Sequence, residues 1–111
     1  MDAALSQIKD DLLGTWTGDG EMAKSPLNKF KFGYNNRDQF EMRVNDRLVQ
    51  ITDMRVIGAL DFSLSFKGLD YSELFLIGKF PNSAKNVLLL INTDKENNTY
   101  ETLQNIRLVK Q

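Results

Sequence analysis

The feature that most constrains this chain is a run of apolar residues at every second position. Leu60, Phe62, Leu64 and Phe66 alternate with Asp61, Ser63, Ser65 and Lys67. Phe30, Phe32 and Tyr34 do the same against Lys29, Lys31 and Gly33, and Phe40, Met42 and Val44 against Gln39, Glu41 and Arg43. Successive side chains of a strand point to opposite faces, so this pattern demands half-buried antiparallel strands. Turn-forming clusters separate the runs: Asn35-Asn36-Arg37-Asp38, Asn45-Asp46, Lys67-Gly68-Leu69-Asp70, Pro81-Asn82-Ser83 and Asp94-Lys95-Glu96-Asn97-Asn98.

Reading between turns predicts strands near 14–24, 27–35, 38–44, 48–57, 59–67, 72–80, 86–94 and 99–109. In the fourth, Val49 and Ile51 share one parity while Met54 and Val56 share the other, which predicts a bulge near Thr52-Asp53. Residues 74–77 and 87–91 are apolar at both parities and are expected to be covered on both sides, by a helix or a partner subunit. Ahead of the strands, Asp2 is placed to cap a helix over about 2–13. Leu5, Ile8 and Leu12 recur at helical spacing, and Gly14 ends the run.

A meander with one apolar face must close or sandwich, because open strand edges pair with other chains. The expected fold is therefore all-β: about eight antiparallel up-and-down strands closed into a barrel over residues 14–109, with one N-terminal helix. At 111 residues the chain forms one domain, 1–111, and buries roughly 65% of its unfolded surface.

Leu12-Leu13-Gly14-Thr15-Trp16-Thr17 resembles the Gly-x-Trp opening of lipocalin-like (calycin) barrels, in which a short helix precedes the first strand. The resemblance is to the small bacterial-type lipocalin-like domains. It implies that a basic residue of the last strand lies across the indole. Arg107, in Asn105-Ile106-Arg107-Leu108-Val109, matches that position. A cation over an indole face gains attraction from the ring quadrupole and would tie the first strand to the last. Gly14, Trp16 and Arg107 are thus expected to be structural. Gly14-x-Trp16-x-Gly18-x-Gly20 is also similar to the opening of nitrobindin-like haem barrels, but the haem-binding histidine of that family has no counterpart here.

Histidine and cysteine are both absent, which removes the commonest general base, the usual zinc ligands and the Ser-His and Cys-His pairs. The expectation is a protein that is not an enzyme and needs no cofactor or metal. Asp10-Asp11 and Asp19-Glu21 are read as solvated, and Gly18-Asp19-Gly20 is short of the oxygen ligands that calcium needs. Asn97-Asn98-Thr99 is a formal glycosylation sequon, treated as chance. With 14 Lys and Arg against 15 Asp and Glu, nothing signals nucleic acid or an anionic membrane. Apolar runs such as Val87 to Ile91 are too short to span a bilayer. A soluble, cytoplasmic protein is expected.

Phe30, Phe32, Tyr34, Phe40, Met42, Phe62 and Phe66, with Trp16, are the inward-facing set. They either wall an apolar pocket or fill the barrel, and crystal-like packing of interiors favours filling. The habit of the resembled superfamily points instead to a small apolar or amphipathic ligand held in the barrel. The alternative is a protein-interaction module, an inhibitor or adaptor, with a filled barrel and an apolar docking or homodimer face at 72–77 and 87–91.

Overall fold

In the computed structural model, which describes residues 3–18, 29–58, 61–68, 74–81, 86–93 and 105–111, every strand pairs with its neighbours in the chain and the last returns to the first. Helix α1 (Ala3–Leu12) leads into β1 (Gly14–Gly18), β2 (Lys29–Tyr34), β3 (Phe40–Val44), β4 (Arg47–Val56), β5 (Phe62–Lys67), β6 (Leu74–Lys79), β7 (Val87–Thr93) and β8 (Asn105–Lys110). All pairings are antiparallel and the barrel is closed. The expected architecture is the observed one. The outer parts of the predicted first and last strands, 19–24 and 99–104, lie outside the described residues.

Local chemistry fixes the register. Asn45 and Asp46 have φ of 50° and 68°, so Val44 and Arg47 face each other across a two-residue turn with both central residues left-handed. That turn matches the right-handed twist of its strands, and Asn and Asp tolerate its backbone. The Asn45 side chain also accepts a hydrogen bond from the Lys29 backbone N–H at 3.2 Å. At the β2–β3 hairpin, Asp38 is left-handed (φ 56°) and its N–H donates to the Asn35 carbonyl at 3.1 Å. The Asn35 side-chain oxygen accepts from the N–H groups of Arg37 and Gln39, which holds the loop from within. Between β4 and β5 the register shifts at Ile51/Asp53, leaving Thr52 exposed. The bulge lets Val49 and Ile51 on one side of it, and Met54 and Val56 on the other, all face inward.

The inward residues form one core. Trp16, Phe30, Met42, Val44, Phe62, Leu64, Phe66, Leu76, Leu88, Leu90 and Leu108 are each 0% exposed, and Ile8 and Leu12 of α1 join them. Fully burying a side chain of this size stabilises the fold by about 1.5–3 kcal/mol. The helix closes the end of the barrel where β1 begins. There Phe80 packs 6.0 Å from Trp16 and 6.5 Å from Phe62, and Lys9 lies 5.6 Å from the Phe40 ring.

One glycine makes the interior fit. Gly78 pairs with Phe62 across β5 and β6 and shares its inward face. A Cβ at Gly78 would stand 2.3 Å from Phe62 Cζ, so the ring occupies the space a side chain would take. Small-against-large pairing of this kind fills a narrow barrel without voids.

Candidate functional site

Two regions are candidates for function: the lumen, lined by the aromatic residues, and the outer surface. In the lumen the seven aromatic and methionine positions divide. Phe30, Met42, Phe62 and Phe66 are 0% exposed and Phe32 is 2% exposed. A residue at zero exposure has no water-sized void beside it, so the first four are packed against other side chains, and Phe32 is nearly so. Phe40 is half-buried near the helix end, stacked on Phe32 at 5.9 Å and edge-on to Tyr34 at 5.4 Å. Tyr34 has the inward parity, but it ends β2 and is 45% exposed at the rim.

The closure residues require one correction. Trp16 is fully buried, and its indole N–H donates to the Leu12 carbonyl at 2.8 Å. The cation over its ring is Lys110, with Nζ 5.4 Å from the centroid; the expected Arg107 is exposed on the outer face of β8, opposite Leu89. Register is the reason. Trp16 pairs directly with Lys110 across β1 and β8, and directly opposed residues share a face. Arg107, three positions away, has the opposite parity. The signal was present in the sequence, because Arg107 alternates out of phase with Leu108, which is buried. Lys110 does further work: its ammonium reaches the Asp11 carbonyl at 3.5 Å, in the last turn of α1, where the helix dipole favours a cation. Gly14 has φ of +119°, a conformation few side chains adopt, and an added Cβ would meet Lys110 Cε at 3.0 Å.

On the outer surface, the apolar surplus of β6 and β7 faces out at alternate positions. Phe75, Ile77, Val87 and Leu89 are half-buried. Residues 72 and 73, and the side chain of Ile91, lie outside the described set. Beside them Ser63 and Ser65 of β5 also have the outward parity, yet they are 5% and 2% exposed; Ser63 lies between Arg55 and Ile77, and Ser65 between Asp53 and Phe75. The large apolar residues that stand exposed among the described residues are elsewhere: Tyr34 (45%), Leu48 (53%) and Ile57 (47%).

Two shallow depressions mark the surface. One, of about 440 Å³, lies along the β2–β3 hairpin and is lined by Tyr34, Asn35, Asn36, Arg37, Gln39 and Glu41. The other, of about 500 Å³, lies between β4 and β5, where Leu48, Val49, Gln50, Lys67 and Gly68 meet. Next to it, Lys29 and Asp46 form an ion pair at 2.9 Å. The Lys29 ammonium holds the Asp46 carboxyl below the usual carboxylate range, helped by the charges of Lys31 and Arg43.

Among the described residues no three His, Cys, Asp or Glu side chains gather as a metal site would require. No described helix is long and apolar enough to cross a membrane. Asp10 and Asp11 sit in the last turn of α1, where Asp11 accepts a hydrogen bond from Gln7 at 3.0 Å. Asp19, Gly20, Glu21 and the Asn97-Asn98-Thr99 sequon lie outside the described residues. Compared with known proteins, the chain matches no protein-family model, no curated protein and no solved structure.

Proposed function

We propose that this protein is a non-enzymatic binding module that engages a protein partner through the outside of a filled lipocalin-like barrel. The observation that carries the reading is the zero exposure of Phe30, Met42, Phe62, Leu64, Phe66 and Leu90. A lumen built to hold a ligand keeps a few hundred cubic ångströms free for it. Here the inward aromatics take much of that space, which leaves the outer surface as the place to meet a partner. The Gly14-Thr15-Trp16 opening, the helix plug and the basic residue over the indole support the lipocalin-like assignment. The absence of histidine and cysteine supports a role without catalysis.

A small apolar ligand in the lumen is the second reading. A closed eight-stranded barrel plugged by a helix at one end favours it, and it requires the inward rings to move aside.

Native mass spectrometry of freshly purified protein, combined with titration of 8-anilinonaphthalene-1-sulfonate, separates the two. The expected result is a ligand-free mass and no gain in probe fluorescence. A small molecule retained at one per chain, or saturable probe uptake lost on enlarging an inward residue, overturns the first reading in favour of the second.

A further inference from the structure

The register of β1 to β4 lines up an outward row that the fold itself does not use. Thr15 faces Lys31, Lys31 faces Arg43, and Arg43 faces Leu48. Like charges directly opposed on neighbouring strands repel and cost stability. The Lys31 and Arg43 side chains are nevertheless both exposed, and neither makes an ion pair or side-chain hydrogen bond to any described residue, although both charges act on the Asp46 carboxyl. On the far side of Leu48, Lys67 faces Gln50 across β4 and β5 and lines the 500 Å³ depression. The row therefore runs cation, cation, exposed leucine, cation. Asp46, Glu41 and Asp53 are acidic side chains beside it among the described residues; Asp46 is paired with Lys29 and Asp53 with Arg55. In a chain whose charges nearly cancel, three cations with no direct ion pair among the described residues, set around a 53%-exposed Leu48, form a local excess.

We propose that the outer face of β2–β5 at Lys31, Arg43, Leu48 and Lys67 docks a short acidic segment of a partner protein that carries an apolar side chain. This rests on the reading that the protein works through its outer surface. Charge complementarity selects the partner: carboxylates answer the three cations, and an apolar side chain covers Leu48 in the depression. A closed barrel offers no free strand edge, so the segment binds by side chains and not by adding a strand. At about 4.8 Å between strands, the row from Lys31 to Lys67 spans about 15 Å, the reach of four or five extended residues. Three cations are few for nucleic acid, whose binders neutralise about 6–10 phosphates.

The test is fluorescence anisotropy with a fluorescein-labelled Glu-Glu-Leu-Glu-Glu peptide at low and moderate salt, with circular dichroism confirming that each variant is folded. Saturable one-to-one binding is expected. The double variant Lys31→Glu/Arg43→Glu should weaken it by about tenfold or more, and Leu48→Ser by about threefold even at the higher salt. Lys79→Glu, on the exposed side of β6, should leave it within about twofold. Equal loss in Lys79→Glu, no saturable binding, or equal binding of a 20-base-pair DNA duplex with the same variant dependence overturns the assignment. Those failures leave the filled-barrel reading standing, whereas uptake of the apolar probe into the lumen removes that reading itself.

Discussion

Replacing Gly78 by alanine tests the filled lumen at its tightest point. The new methyl carbon would lie 2.3, 2.7 and 2.8 Å from three atoms of the Phe62 ring. Ordinary carbon contacts are about 3.5–4.0 Å, so the ring must retreat by more than about 1 Å. The ring tip of an exposed phenylalanine would do so at little cost. Phe62, however, is 0% exposed, with Phe80 on the helix side and Val56 and Gly78 on the flanking strands. Overpacking of this kind costs about 1–3 kcal/mol, and the severity of the clash places it near the top of that range. The lower entropy of an unfolded alanine returns about 0.4–1 kcal/mol, leaving a net loss of about 2 kcal/mol. For 111 residues the unfolding entropy is about 0.23 kcal/mol/K, so Tm should fall by about 9 °C. Differential scanning calorimetry reads this directly. The partner variant Phe62→Leu shortens the ring that is in the way, so Gly78→Ala/Phe62→Leu should be less destabilised than the two single changes added, by about 1–2 kcal/mol. A Gly78→Ala protein melting within about 2 °C of the parent would refute the packed lumen, as would strict additivity in the double variant.

Trp16→Ala should cost about 3–5 kcal/mol in urea unfolding, because it empties a buried site and frees the Leu12 carbonyl. Lys110→Met should lose about 1 kcal/mol through the indole and helix-end contacts while Arg107→Met stays within about 0.5 kcal/mol; the reverse order would restore Arg107 as the closing cation. The Asp46 carboxyl should titrate below 3.8 by NMR and move up in Lys29→Met. Since its pKa is lowered in the folded state, its small stabilising contribution is present above the unfolded value and disappears as pH falls through the folded one.

Much of this architecture was legible because alternation reports the face of a strand directly. The reversed parity between Val49-Ile51 and Met54-Val56 predicted a bulge, and the register shifts there with Thr52 turned to solvent. Leu5, Ile8 and Leu12 predicted a helix that the structure places over Ala3–Leu12, with Ile8 and Leu12 buried. Alternation does not report position along the barrel axis, however. Tyr34 has the parity of Phe30 and Phe32 but ends its strand, so it sits partly exposed at the rim against Phe40. Parity alone already turns Arg107 away from the inward face that Leu108 and Lys110 share, but only the register of the two termini shows that Lys110 is the residue opposite Trp16. The role of Gly78 was invisible for a related reason: a glycine in an apolar strand announces a gap, and only the cross-strand register shows that Phe62 fills it. The outer row of Lys31, Arg43 and Leu48 likewise exists only once three strands are aligned.

The seam between β1 and β8 has a kinetic consequence. Seven of the eight ladders join strands that are consecutive in the chain and can zip as soon as each hairpin emerges. The eighth joins Trp16 to Lys110, and it must wait for nearly the whole polypeptide while giving back only a few bonds for a long loop closed. Non-local pairing of this sort slows folding, and until it forms two unpaired strand margins stay available to neighbouring molecules. Lys110 and Trp16 therefore act as the clasp of the structure, and a weakened clasp should show up first as slower refolding and greater aggregation at high protein concentration.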